Sequence, residues 1–99
     1  MNKVILQLGS NLKKKDCNLK TAIDKIEKKI GVVYKKSKIY ISDPWGKINQ
    51  PKFLNQVIIV KSRLTAEEVL EKIFDIEKRM GRKRKKKWEA RIIDIDILF

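Results

Sequence analysis

The sequence predicts an α+β fold of the ferredoxin-like βαββαβ order, a four-stranded antiparallel sheet with both helices on one face. Three observations carry this expectation. Segments of strand and helix periodicity follow one another in that order, with no repeat and no low-complexity stretch. Two helical segments show apolar spacing on one side and are bounded by capping and stop residues. The chain closes on a β-branched run, Arg91-Ile92-Ile93-Asp94-Ile95-Asp96-Ile97-Leu98-Phe99, whose only acids alternate.

Residues 4–8 (Val-Ile-Leu-Gln-Leu) read as a buried strand, and Gly9-Ser10-Asn11 as the turn after it. Asp16 can cap a helix whose apolar positions are Leu19, Ala22, Ile23, Ile26 and Ile30, and Gly31 closes it. Residues 32–41 form a strand whose centre, Lys35-Lys36, is exposed or bulged. Asp43-Pro44-Trp45-Gly46 and Asn49-Gln50-Pro51 make a turn-rich loop, and residues 53–61 the third strand. Thr65-Ala66-Glu67-Glu68 is a capping box opening a helix with Val69, Leu70, Ile73, Ile76 and Met80 as its apolar stripe, ended by Gly81. A basic loop, Arg82-Lys83-Arg84-Lys85-Lys86-Lys87, then leads to the Asp-bearing strand.

Ninety-nine residues bound the chain to one domain, residues 1–99. Hydrophobic content of 42% with four Gly and two Pro describes a folded chain. A formal charge of +13 points to an anionic partner, a nucleotide, nucleic acid or acidic membrane, without choosing among them. Cys17 is the single cysteine, so an intrachain disulfide is excluded; with no His to partner it, it is expected to be a small, partly buried filler in the first turn of a helix. The N-terminal apolar stretch is too short for a signal peptide or membrane span, and a cytoplasmic location is expected.

Alternate residues of a strand share a face, so Asp94 and Asp96 are expected to stand side by side. Two acids in apolar surroundings repel and lose hydration, so a cation belongs beside them. Magnesium suits one or two carboxylates with water and phosphate oxygens completing its shell, while pairing with the abundant Lys and Arg is the alternative. Phe53 and Asn55 share one strand face, where a ring could stack a flat heterocycle and an amide could read its edge; a core aromatic and a loop-bonded Asn are the bland equivalents. Trp45 either covers a ligand or plugs the loop. Six successive cations, residues 82–87, call for a counter-charge such as polyphosphate, with Arg82, Arg84 and Arg91 as planar forks. Walker-type spacing is absent at Gly9-Ser10-Asn11, and without His the chemistry has to rest on metal, positioning and charge neutralisation.

Leu8-Gly9-Ser10-Asn11-Leu12, Ser37-Lys38-Ile39-Tyr40, Gln50-Pro51-Lys52-Phe53-Leu54-Asn55, Ile76-Glu77 with Gly81-Arg82, and residues 91–99 together resemble the 6-hydroxymethyl-7,8-dihydropterin pyrophosphokinase family of folate biosynthesis. The resemblance runs the whole length, in the family's order and approximate spacing. It implies transfer of pyrophosphate from ATP to the hydroxymethyl group of the dihydropterin, with AMP released. Asp94 and Asp96 would hold two magnesium ions and, with Arg82 and Arg91, form the catalytic set. ATP would meet Glu77, Arg82, Arg84, Lys87, Trp88, Arg91 and Ile97. The pterin would meet Phe53, Asn55 and the backbone of Ser42, Asp43 and Trp45.

The chain also departs from the family pattern. Trp88-Glu89-Ala90-Arg91 stands where the family usually reads Trp-Gly-Pro-Arg, and Phe74 where a nucleotide-contacting polar residue is common. Family members continue past the position of Phe99, adding a second stacking aromatic, a His and further ATP contacts. The resemblance therefore implies that this chain binds nucleotide weakly with little or no turnover. A monomer without specific nucleic-acid or membrane partners is expected, with pairing through the exposed final edge as the alternative. A basic nucleic-acid-binding module shares the element order but stacks bases on aromatics of its first and third strands, where this chain has Phe53 alone at an edge. An inactive interaction or folding domain is the third reading.

Overall fold

The computed structural model describes residues 1–12, 14–43, 51–81 and 92–99. Its elements are β1 (Asn2–Ser10), α1 (Lys15–Lys29), β2 (Gly31–Lys36), β3 (Tyr40–Ser42), β4 (Phe53–Ser62), α2 (Ala66–Arg79) and β5 (Asp94–Ile97). All strand pairs are antiparallel, in the order β2-β4-β1-β5, with β3 also on β4. This is the α+β, ferredoxin-like arrangement the periodicities predict.

Among the described residues, five strands stand where four are expected, because residues 32–41 do not form one strand. β2 shifts register between Val33 and Lys35, the bulge foreseen at the lysines, and the edge breaks before β3 resumes on the far end of β4. Ser37 bridges the break. Its amide donates to Val57 O (2.8 Å), its Oγ accepts from Val57 N (2.9 Å), and its carbonyl accepts from Gln56 Nε2 (2.8 Å). Local polar bonds thus replace the missing ladder rungs.

The core lies between the sheet and both helices. Val4, Leu6 and Leu8 of β1, Ile58 and Val60 of β4, and Ile93 and Ile95 meet Leu19, Ala22, Ile26 and Ile30 from the first helical segment and Val69, Ile73 and Ile76 of α2. Leu70 departs from its expected place in the stripe and is exposed, while Glu77 takes a buried position on that face. The capping box at Thr65 forms as expected, with Glu68 N donating to Thr65 Oγ1 (3.2 Å) and Thr65 N to Glu68 Oε1 (2.9 Å). The backbone amide of Thr65, followed by its side chain, holds the Glu68 carboxyl below its ordinary range. Asp75, bonded to Lys29 Nζ (2.9 Å) and Arg79 Nε (3.0 Å), is likewise lowered, by Lys29 first, and joins the two helices.

Four local expectations are corrected. Asp16 does not cap α1; the cap position is Lys14, whose carbonyl receives Asn18 N (2.9 Å), and Asp16 lies in the first helical turn, where its charge suits the helix dipole. Gly9 and Ser10 continue β1 rather than turning, because their partners Asn55 and Leu54 extend β4 to meet them. Gly31 opens β2 instead of ending α1. A Cβ there would lie 2.1 Å from the Lys61 carbonyl oxygen, so the glycine permits close contact with β4. Cys17 is exposed, on the side of the first turn away from the core. Gly81 does follow α2 as expected, at φ +90°. Among the described residues, no helix is long and apolar enough to cross a membrane.

The Glu77 carboxylate accepts the Ile95 amide (2.9 Å) at a position 2% exposed, tying α2 to the backbone of β5. Truncation would strand a buried donor, at a cost of about 1–3 kcal/mol. Glu77→Ala is expected to lower the urea-unfolding free energy by that amount, with Glu77→Gln, which keeps an acceptor, losing less. Equal losses in the two variants would show that the amide bond contributes nothing.

Candidate functional site

Antiparallel pairing sets side chains of opposed residues on the same face. Gly9 opposes Asp94 on one side and Asn55 on the other, and Asn55 opposes Tyr40, so one row crosses the sheet as Asp94, Gly9, Asn55, Tyr40. The next row is Asp96, Gln7, Val57, and the row beyond Asn55 pairs Phe53 with Ser42. Leu8 and Ile95 lie between these rows and point into the core, which leaves the acids on the face without helices. The predicted alternation of Asp94 and Asp96 therefore holds in space.

The three rows enclose an open cavity of about 180 Å³ lined by Gln7, Gly9, Ser42, Asp43, Phe53, Asn55, Asp94 and Asp96. Six of these are residues singled out from sequence: both acids, the Phe53 and Asn55 pair, Ser42 and Asp43. Asn55 is buried and its orientation is fixed. Its Nδ2 donates to Ser42 Oγ (2.8 Å) and to Tyr40 O (3.3 Å), and its Oδ1 faces the space over Gly9. Phe53 is half-buried beside it, and its entry into β4 is anchored by Asn11 Nδ2 on Pro51 O (3.2 Å) and Lys15 Nζ on Lys52 O (2.7 Å). Asn18 Nδ2 binds Ser10 Oγ (3.1 Å) and Leu12 O (3.0 Å), which fastens the end of β1 below the cavity to α1. Asp43 is exposed and lies 3.6 Å from Lys52 Nζ.

Gly9, Gln7 and Tyr40 belong to the site and were not proposed for it from sequence. A Cβ at Gly9 would stand 3.0 Å from Asn55 Oδ1 and 3.4 Å from the Phe53 ring, so the missing side chain is what opens the floor. A glycine inside a strand pattern is a signal for such close approach, here masked by the turn-like Gly-Ser-Asn context. Gln7 Nε2 donates to Tyr40 Oη (2.8 Å), spanning β4 along the cavity's edge. Only strand register could have revealed that pair.

Other expected site residues lie apart from the cavity or outside the described residues. Glu77 is beneath β5 on the helix side, and Ile97 is partly exposed on the same strand, opposite Leu6. Trp45, Arg82, Arg84, Lys87, Trp88 and Arg91 lie outside the described residues.

The donor set suits magnesium. Asp94 and Asp96 supply two carboxylates to one cavity, with Asp43 also on its lining. Magnesium is held in this way, by one or two protein carboxylates with water and substrate phosphates filling the octahedron.

Comparison with known proteins gives a consistent answer. The family model for 7,8-dihydro-6-hydroxymethylpterin-pyrophosphokinase (HPPK) matches residues 5–99. Three relatives named 2-amino-4-hydroxy-6-hydroxymethyldihydropteridine pyrophosphokinase are similar to this chain. That of Aquifex aeolicus is 44% identical over 98 residues, 99% of this chain and 61% of its own length. That of Helicobacter pylori is 41% identical over 104 residues, covering 98% and 61%, and that of Methylorubrum extorquens 36% over 99 residues, covering 99% and 63%. The chain thus spans about three fifths of the length of these curated relatives.

Gly9→Ala puts a methyl on the cavity floor, 3.0 Å from an Asn55 Oδ1 whose amide two hydrogen bonds hold in place. The expected result is a modestly lowered unfolding midpoint, with affinity for a flat heterocyclic ligand reduced more than tenfold in titration. Undiminished affinity would place any such ligand elsewhere than over Gly9.

Proposed function

The chain belongs to the HPPK family, and from that premise we propose that it carries metal, pterin and ATP residues of a magnesium-dependent pyrophosphokinase that transfers pyrophosphate from ATP to 6-hydroxymethyl-7,8-dihydropterin in folate biosynthesis. One observation carries the reading: Asp94 and Asp96 share a cavity with Phe53 and Asn55, so a phosphate-bearing cation and a flat ring fit side by side.

In this mechanism the Phe53 ring stacks on the pterin over Gly9, and Asn55 Oδ1, held by its amide's bonds to Ser42 and Tyr40, accepts from the heterocycle's edge. Ser42 and Asp43 line the cavity beside that edge, and Trp45 closes the set on sequence grounds. Asp94 and Asp96 would hold two magnesium ions. When bound, magnesium neutralises phosphate charge and acidifies a coordinated hydroxyl. The hydroxymethyl oxygen attacks the β-phosphorus of ATP. The bond from that phosphorus to the oxygen bridging the α-phosphate breaks, AMP departs, and the hydroxyl proton passes to water.

Arg82, Arg84, Lys87 and Arg91 supply cations for the triphosphate, Trp88 covers it, and Glu77 and Ile97 flank the nucleotide. For Glu77 that role would act through β5, whose backbone it holds. ATP and the dihydropterin are the partners on this reading, and the cytoplasm, where ATP is abundant, is its location.

Titration calorimetry with a non-hydrolysable ATP analogue, with and without magnesium, tests the proposal. Nucleotide binding is expected to strengthen at least tenfold with magnesium, and Asp94→Asn with Asp96→Asn should abolish the gain. Metal-independent nucleotide binding, equal in the double variant, would overturn it.

A further inference from the structure

Between the metal-binding acids and the heterocycle-binding pair lies a side chain that neither role uses. Gln7 opposes Asp96 across the β1–β5 ladder and sits two residues from Gly9, the floor under the ring. It lines the same cavity, and its Nε2 donates to Tyr40 Oη at 2.8 Å. The structure orients the amide with its nitrogen toward that hydroxyl. With Nε2 turned toward β3, Oε1 is the end of the amide available for a donor in the cavity.

We infer that Gln7 is a specificity residue, accepting through Oε1 a hydrogen bond from the exocyclic hydroxyl of the pterin and so aiming its oxygen at the acid pair. The inference rests on the proposed pterin reading. Three features of the structure support it. Rows on one sheet face repeat about every 6.8 Å along a strand. A ring seated over Gly9, with its edge read by Asn55, therefore extends a one-carbon substituent toward the row of Gln7 and Asp96. A neutral amide there adds an acceptor without adding charge to a site that already holds two carboxylates. Finally, Tyr40 spans β4 to reach Gln7 while its own carbonyl receives Asn55 Nδ2 at 3.3 Å, so one residue orients both the ring-reading amide and the hydroxyl-reading one.

The test compares 6-hydroxymethylpterin with 6-methylpterin, two stable probes that differ by the single oxygen, in the presence of magnesium and a non-hydrolysable ATP analogue. The unaltered chain is expected to favour the hydroxymethyl probe about tenfold. Gln7→Leu should remove that preference while leaving 6-methylpterin affinity within twofold. Tyr40→Phe, which keeps Gln7 but frees its amide, should reduce the preference about threefold. Equal weakening toward both probes would assign Gln7 a purely structural role and overturn the inference, as would an unchanged preference in both variants. Strong binding of both probes without preference by the unaltered chain would overturn the inference while leaving the pterin reading standing. Failure of the unaltered chain to bind either would overturn both.

Discussion

The site depends on four rungs of antiparallel pairing between β1 and β5: Leu6 with Ile97, Gln7 with Asp96, Leu8 with Ile95, and Gly9 with Asp94. A slip of one residue would turn both acids into the core and put Ile95 on the open face. Burial of Ile95 against the helices opposes that slip, and so does Glu77, whose carboxylate receives the Ile95 amide from below. The register that presents the acids is thus enforced from the opposite side of the sheet, by apolar packing and one buried hydrogen bond.

The cavity combines two kinds of construction. On the acid side, strand alternation in that register places the carboxylates. On the aromatic side the geometry is composite: a glycine clears the floor, β3 fixes Asn55 through Ser42 and Tyr40, and α1 anchors the approach to Phe53 through Lys15. This division accounts for the broken edge strand. A continuous strand from residue 31 to 42 would carry the β2 bulge forward along β4, whereas the break at Ser37 lets β3 re-register on Asn55.

The acids, the apolar faces of both helices and the capping box at Thr65 were legible in the sequence, because each rests on spacing within one segment. The break at residue 37 and the extension of β1 through Ser10 were not, since each is decided by a partner distant in sequence. Gly9 shows the difficulty most plainly. Its sequence context, Gly-Ser-Asn, reads as a turn, and only the pairing with Asn55 reveals it as a strand residue kept small for what lies above it. Phe53 and Asn55 were found from their shared face, but what orients Asn55 became visible only with β3 in place.

Manganese, as a paramagnetic stand-in for magnesium, tests whether Asp94 and Asp96 jointly hold a divalent ion beside a triphosphate. Both ions accept oxygen ligands, and manganese broadens nuclear resonances near it. With a non-hydrolysable ATP analogue present, backbone amide signals of Gln7, Gly9, Ile95 and Asp96 are expected to broaden first, and the effect to disappear when both aspartates are replaced by asparagine. Broadening centred on the acids of α2, or spread evenly over the surface and unchanged in the double variant, would contradict it.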